Sequence, residues 1–143
     1  MLDYRDVWLN SFARRVGMTG LRFDDKGICQ LSLDQELILT LSKSTYEHHL
    51  VIFGQLPVAN LSNDVMKKLL IENRNSANQL APVVSLSESA DAIEVNLLMS
   101  EEDLNCGKEG VNLVIHCLEY WRSVVFDTDV PVVSSNVTSF NFI

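Results

Sequence analysis

The stretch Phe23-Asp-Asp-Lys-Gly-Ile-Cys-Gln-Leu-Ser-Leu-Asp34, followed after Gln35-Glu36 by Leu37-Ile-Leu-Thr-Leu-Ser42, decides the fold. In the second run Leu37, Leu39 and Leu41 alternate with Ile38, Thr40 and Ser42, the period of two that puts one row of side chains on each face of a strand. Cys29, Leu31 and Leu33 carry the same alternation after the Asp24-Asp-Lys-Gly27 turn, and Leu21 to Phe23 reads as a bent or interrupted start to that strand. A third strand is expected from His48 to Phe53, with Gly54 and Pro57 marking where the chain leaves the sheet. The connections are too short for parallel crossovers, so these strands should form an antiparallel meander.

On the N-terminal side, Tyr4, Val7, Trp8, Leu9, Phe12, Ala13 and Val16 recur at three- and four-residue steps and Gly17 stands where a helix C-cap belongs. On the C-terminal side, Ser62 as N-cap and Asp64 in the first turn introduce the stripe Val65, Met66, Leu69 and Leu70 of a second helix, ending among Asn73 to Asn78. Val83 to Leu86 and the alternating Ile93, Val95, Leu97 and Met99 form a second hairpin around the Ser87-Glu-Ser-Ala-Asp91 turn. A third helix is expected from Glu101 to about Phe126, its first turns weakened by Gly107 and Gly110. The order helix, three strands, helix, two strands, helix describes one α+β domain with an antiparallel twisted sheet over residues 1–126. The tail 127–143 ends in Phe140-Asn-Phe-Ile143, too apolar to be a solubilising tail, and is expected to pack on the body or on a partner.

A chain of 143 residues with 47% hydrophobic and 21% charged residues can bury one real core. Its net charge of -8 repels phosphate backbones and anionic membranes, and the pairs Arg14-Arg15 and Lys67-Lys68 are too isolated to make a basic patch. Nucleic acid and membrane insertion are therefore not expected. The first residues carry acids where a signal peptide needs a basic region, and no apolar run approaches the ~18 residues of a bilayer span. Three cysteines, Cys29, Cys106 and Cys117, form no CxxC pair. An odd count without a secretion signal points to a reducing cytoplasm.

Chemistry-bearing motifs are scarce. No glycine loop leads into Lys-Ser or Lys-Thr to cradle phosphates. His48-His49, read on a strand, would point to opposite faces and could not share a metal ion. His116 and Cys117, adjacent on a helix, diverge by about 100°, and Cys106 would lie roughly 15 Å from His116 along one helix. Cys117 reads as a small core residue, Glu101-Glu-Asp103 as partners of a helix dipole, and Asn136-Val-Thr138 as an inert sequon. No catalytic residue, metal ligand or cofactor is expected. A small-molecule enzyme would need a polar cluster in a concave pocket that these residues do not assemble.

The element order, read with Phe23-Asp-Asp-Lys-Gly-Ile-Cys-Gln-Leu-Ser-Leu-Asp34, Leu69-Leu-Ile-Glu-Asn73, the first helix leading into Gly17 and the terminal Tyr120-Trp-Arg122, resembles the class I chaperones of type III secretion, the Tir-chaperone family. The likeness runs from about Tyr4 to about Phe126. The chain departs from the family at Ser76-Ala-Asn-Gln-Leu-Ala81, where a glycine-rich passage is usual, and the tail after Phe126 has no family counterpart. The resemblance implies a cytoplasmic homodimer without ATP or catalysis, joined through the second helix and second hairpin, here Met66, Leu69, Leu70, Val84 and Leu86. It implies a bound segment of a secreted effector, kept soluble and competent for export. The alternative is a regulatory chaperone-like protein that sequesters an anti-activator and couples secretion to transcription of secretion genes. An extended segment can pair with a strand edge while its side chains enter apolar pockets. Val7, Leu9 and Phe12 on the first helix and Ile38, Val51 and Phe53 on the sheet are the candidate pockets, with ordinary core as the competing reading of each.

Overall fold

The structure, a computed structural model, describes residues 3–33, 37–45, 48–73, 80–126 and 141–142. Helix α1 (Tyr4–Val16) begins at Asp3, whose carboxylate accepts from the Arg5 backbone N–H, and ends at Gly17 in the left-handed region with φ 73°. The Met18 N–H then closes back on the Ala13 carbonyl at 2.9 Å, satisfying an orphan acceptor of the last turn. Strands β1 (Ile28–Leu33), β2 (Leu37–Lys43) and β3 (Leu50–Pro57) form the antiparallel meander. Helix α2 (Asn63–Asn73) starts where the Ser62 hydroxyl accepts from the Val65 N–H at 3.2 Å. β4 (Val83–Leu86) and β5 (Ala92–Met99) form the second hairpin, which joins the meander through β3, and the short helix α3 (Glu101–Asn105) is followed by α4 (Gly110–Phe126). Asn141–Phe142 of the tail pair with β1 as β6, which gives a six-stranded antiparallel sheet in the order β4-β5-β3-β2-β1-β6.

One face of this sheet is the core. Leu31, Leu39, Leu41, Leu50, Ile52, Ile93 and Met99 are fully enclosed between the sheet, Leu9 and Phe12 of α1, and Val114, Ile115, Leu118 and Trp121 of α4. The N-terminus of α1 is clamped to the β2–β3 hairpin by Arg5, which bonds the Ser44 carbonyl at 3.0 Å and the His49 carbonyl at 3.1 Å. The Tyr4 hydroxyl donates to the His48 carbonyl beside it, and Lys43 reaches Asp6 at 2.7 Å.

Three sequence expectations are corrected. The single third helix divides at Cys106 to Glu109: Ser100 and Asp103 form a capping box that starts α3, and Gly107, left-handed with φ 73°, follows its end. Gly110 then opens α4 so close to the sheet that a Cβ there would lie 2.2 Å from the Met99 sulfur. β3 begins at Leu50, and His48 (φ 55°) and His49 precede it, so the two histidines do not lie on the strand. Gly54 lies inside β3 and does not end it: a Cβ at that position would come within 2.5 Å of Leu118 and 3.1 Å of Leu39, so the missing side chain is what lets α4 settle on the strand. The expected end of the second helix beyond Asn73, and residues 127–140 of the tail, lie outside the described residues.

Candidate protein-binding surface

The helices α1 and α4 cover one face of the sheet, and the strand register defines the other. Val51 of β3 stands between Ser42 and Leu98, while Phe53 stands between Thr40 and Asn96, and Asn96 in turn faces Val83. Residues paired in register share a face, so Ile38, Val51, Phe53, Val83 and Leu98 lie on the side turned away from the helices. Ile38 is 50% exposed, Leu98 54% and Val83 49%, and Val51 and Phe53 are half-buried. Among the described residues of β1 to β5 on this face, Glu94 carries the one charge, in a chain of net charge -8. A sheet face that sets these apolar side chains among uncharged polar ones, such as Gln30, Thr40, Ser42, Gln55 and Asn96, and carries one charge on an acidic protein is a surface suited to another polypeptide.

The candidates from the sequence separate accordingly. Ile38, Val51 and Phe53 share the open face. On α1, Val7 points outward and is exposed, whereas Leu9 and Phe12 belong to the core at 1% and 5% exposure. Trp8 stacks on Phe12 with ring centroids 5.2 Å apart, so the helix's wide apolar face is spent mainly on its own sheet. On α2, Leu69 is buried, Met66 is half-buried and Leu70 stands free, with the exposed Ile71 beside it. Val84 is buried and Leu86 half-buried in the β4–β5 hairpin. Leu9, Phe12, Leu69 and Val84 therefore offer no free side chain to a partner of this protomer.

Leu98, Val83 and Ile71 were not singled out in the sequence. A signal was present in the runs Leu97-Leu98-Met99 and Val83-Val84, where two apolar neighbours on one strand must lie on opposite faces, so one of them looks outward. In Leu69-Leu-Ile71 three successive apolar residues exceed what one helix stripe can bury.

Groups capable of chemistry are dispersed. Cys29 is buried, Cys106 is exposed at the end of α3, and Cys117 is half-buried with its thiol pushed up to about 11 by burial and by the charge of Glu72. A thiol raised in this way is a poor nucleophile at neutral pH. The Tyr120 hydroxyl donates to Glu72 at 2.7 Å, and Glu72 also holds Lys68 at 3.1 Å, which ties α4 to α2. Among the described residues no three His, Cys, Asp or Glu side chains gather as metal ligands, and no helix is long and apolar enough to cross a membrane.

Residues 8–122 match the family described as Tir chaperone protein (CesT). The chain belongs to the CesT family. Solved structures agree with it in fold. A chain of the HopA1–SchA chaperone–effector complex superposes with a TM-score of 0.68 at 22% identity, covering 86% of this protein and 99% of that chain. A chain of the ExsC–ExsE complex gives a TM-score of 0.73 at 18% identity, with 87% and 96% covered. The Yersinia pestis type III secretion chaperone SycH, solved with a stable fragment of YscM2, gives 0.67 at 14% identity, with 82% and 97% covered. No curated protein sequence matches this CesT-family chain significantly. The matched segment ends before the tail that contributes β6.

Proposed function

We propose that this CesT-family protein is a type III secretion chaperone that, as a cytoplasmic homodimer, holds an extended segment of a secreted effector and keeps it soluble and competent for export. The observation that carries the reading is the open sheet face, where Ile38, Val51, Phe53, Val83 and Leu98 stand among uncharged polar side chains with one charge, on a chain whose relatives in fold are solved with bound protein partners. A segment laid along this surface pairs its backbone with a strand edge and its alternate side chains with the apolar face, so binding tolerates sequence variation and requires no cofactor. Leu70, Ile71 and Met66 on the outer side of α2 supply the contact between protomers, with Leu86 nearby on β4. The acidic remainder of the surface keeps a protein with two apolar patches soluble.

Light scattering of the purified chain should give about twice its 16.1 kDa mass; a monomer at micromolar concentration would remove the dimer. Affinity capture of the tagged full chain from the native bacterium, with mass spectrometry, should return a secreted protein in stoichiometric amount. A transcriptional anti-activator would assign the regulatory role instead, and no stable protein partner would overturn the reading.

A further inference from the structure

A sheet edge with free backbone groups invites pairing with any extended chain, and folded proteins cover or blunt such edges. Both edges of this sheet are covered in part by the chain itself, in different ways. At the β4 edge the Asn73 side chain acts as a fixed cap: its Oδ1 accepts from the Val84 N–H at 2.9 Å and its Nδ2 donates to the Val84 carbonyl. At the opposite edge the Lys43 N–H donates to the Gly27 carbonyl at 2.8 Å, which sets the phase of the β1–β2 ladder. Cys29, Leu31 and Leu33 therefore exchange bonds with β2, and Ile28, Gln30 and Ser32 direct theirs outward. The Asp24 turn takes those of Ile28: the Ile28 N–H donates to Asp24 Oδ1 at 2.9 Å and the Asp24 N–H to the Ile28 carbonyl at 2.9 Å. Ser32 faces Asn141, its register partner in β6.

The two closures differ in permanence. Asn73 belongs to α2 in the body of the fold, whereas β6 lies beyond the family match at residues 8–122 and is joined to α4 only through residues 127–140. It pairs through two residues, short of the usual 3–10 for a strand. Its surroundings, Val137-Thr-Ser-Phe-Asn-Phe-Ile143, are rich in β-branched and aromatic residues, the composition that suits an extended segment on a strand edge.

We propose that β6, Asn141–Phe142, is a built-in placeholder strand, which shields the Ser32 end of the β1 edge while the protein is free and is displaced when a partner's extended segment pairs with that edge. This rests on the reading of the protein as a binder of extended segments. The connection from Phe126 to Asn141 can stretch to ~50 Å at most, so the tether keeps the strand near its edge at an effective concentration on the order of millimolar. Such a guard excludes weak, stray peptides and yields to a segment that also fills the apolar sheet face.

The test uses the full chain and its double variant Asn141→Pro, Phe142→Pro, since proline removes the donor N–H of each residue. Amide exchange by NMR should show the Ser32 N–H protected in the parent chain and at least ~10-fold faster in the variant, with Leu31 and Leu33 unchanged because they bond to β2. A dye-labelled peptide of residues 137–143 should bind the variant at least ~10-fold more tightly than the parent, by anisotropy, and should restore Ser32 protection. Equal binding to both proteins, no binding to either, or unchanged Ser32 exchange would overturn the proposal. Ser32 protection that rises with protein concentration would overturn it too, because the strand would then come from a second copy. The probe is the chain's own segment, so the result stands apart from whether a secreted partner is captured.

Discussion

Replacing Ile52 by Ala should cost far more than replacing Val51 by Glu, although the two are neighbours on β3. Ile52 is fully enclosed, facing α4, and its truncation leaves a cavity among Leu50, Leu97 and Ile115 of the same core cluster. Such a change costs about 2–5 kcal/mol. With an unfolding entropy of roughly 2.1 cal/mol/K per residue, 143 residues give about 0.3 kcal/mol per degree, so Ile52→Ala should lower Tm by about 7–17 °C. Val51 lies on the open face between Ser42 and Leu98, half-buried and without a second layer of the fold above it. Glu at that position loses some strand propensity and partial burial, about 1 kcal/mol or about 3 °C. Thermal unfolding followed by circular dichroism, at one fixed protein concentration because dimers melt in a concentration-dependent way, measures both variants. A loss for Val51→Glu equal to or larger than that for Ile52→Ala would refute the assignment of an open face.

Further outcomes follow from the clamps around this sheet. The hydrogen bond from Arg5 holds the Asp3 carboxyl well below the usual carboxylate range, with help from the charges of Arg5 and Lys43, so its contribution is full above pH ~4 and is lost as the pH falls below that. Asp3→Asn should therefore lower Tm at pH 7 by the equivalent of about 1–2 kcal/mol, a figure reduced for its partial exposure, and the gap should narrow as the pH falls from ~4 to ~2; a gap of the same size at pH 7 and pH ~2 would contradict this. Asn73→Ala should cost about 1–2 kcal/mol and speed amide exchange at Val84, since both outward groups of Val84 lose their partner; unaltered exchange at Val84 would count against the cap. At pH 8 a colourimetric thiol reagent should modify one of the three cysteines quickly, the exposed Cys106, with Cys29 and Cys117 reacting only on unfolding; rapid reaction of all three would show that the α4 core is open.

The meander was legible because Leu37, Leu39 and Leu41 alternate without interruption and only residues 34–36 and 44–49 separate the three runs. Helix α2 was legible from Ser62, whose hydroxyl does cap it. What the pattern could not supply was depth. Gly54 reads as a strand exit because glycine usually ends strands, yet here it makes room for Leu118, a contact 64 residues away in sequence that no local window contains. The break between α3 and α4 was half visible in Gly107 and Gly110, which the sequence shows only as weak helix formers; Gly107 turns left-handed, and Gly110 restarts the helix where a Cβ would meet the Met99 sulfur. Among the site residues, Ile38, Val51 and Phe53 could be placed on one face by parity alone. Leu9 and Phe12 could not be told from surface residues, because an amphipathic stripe says which side of a helix is apolar and not how much of that side its own sheet will cover. β6 escaped the pattern because two residues are too few to show a period.

Whether the open face holds the partner can be measured directly. The measurement is the amount of partner retained by the full chain against that retained by the double variant Val51→Glu, Phe53→Glu, in parallel captures from the native bacterium, with circular dichroism establishing that the variant is folded. The parent chain should retain a stoichiometric secreted protein and the folded variant at least ~10-fold less, the effect of placing two charges in that contact. Equal retention by both would contradict it, because the partner would then be held somewhere other than the sheet face formed by Ile38, Val51, Phe53, Val83 and Leu98.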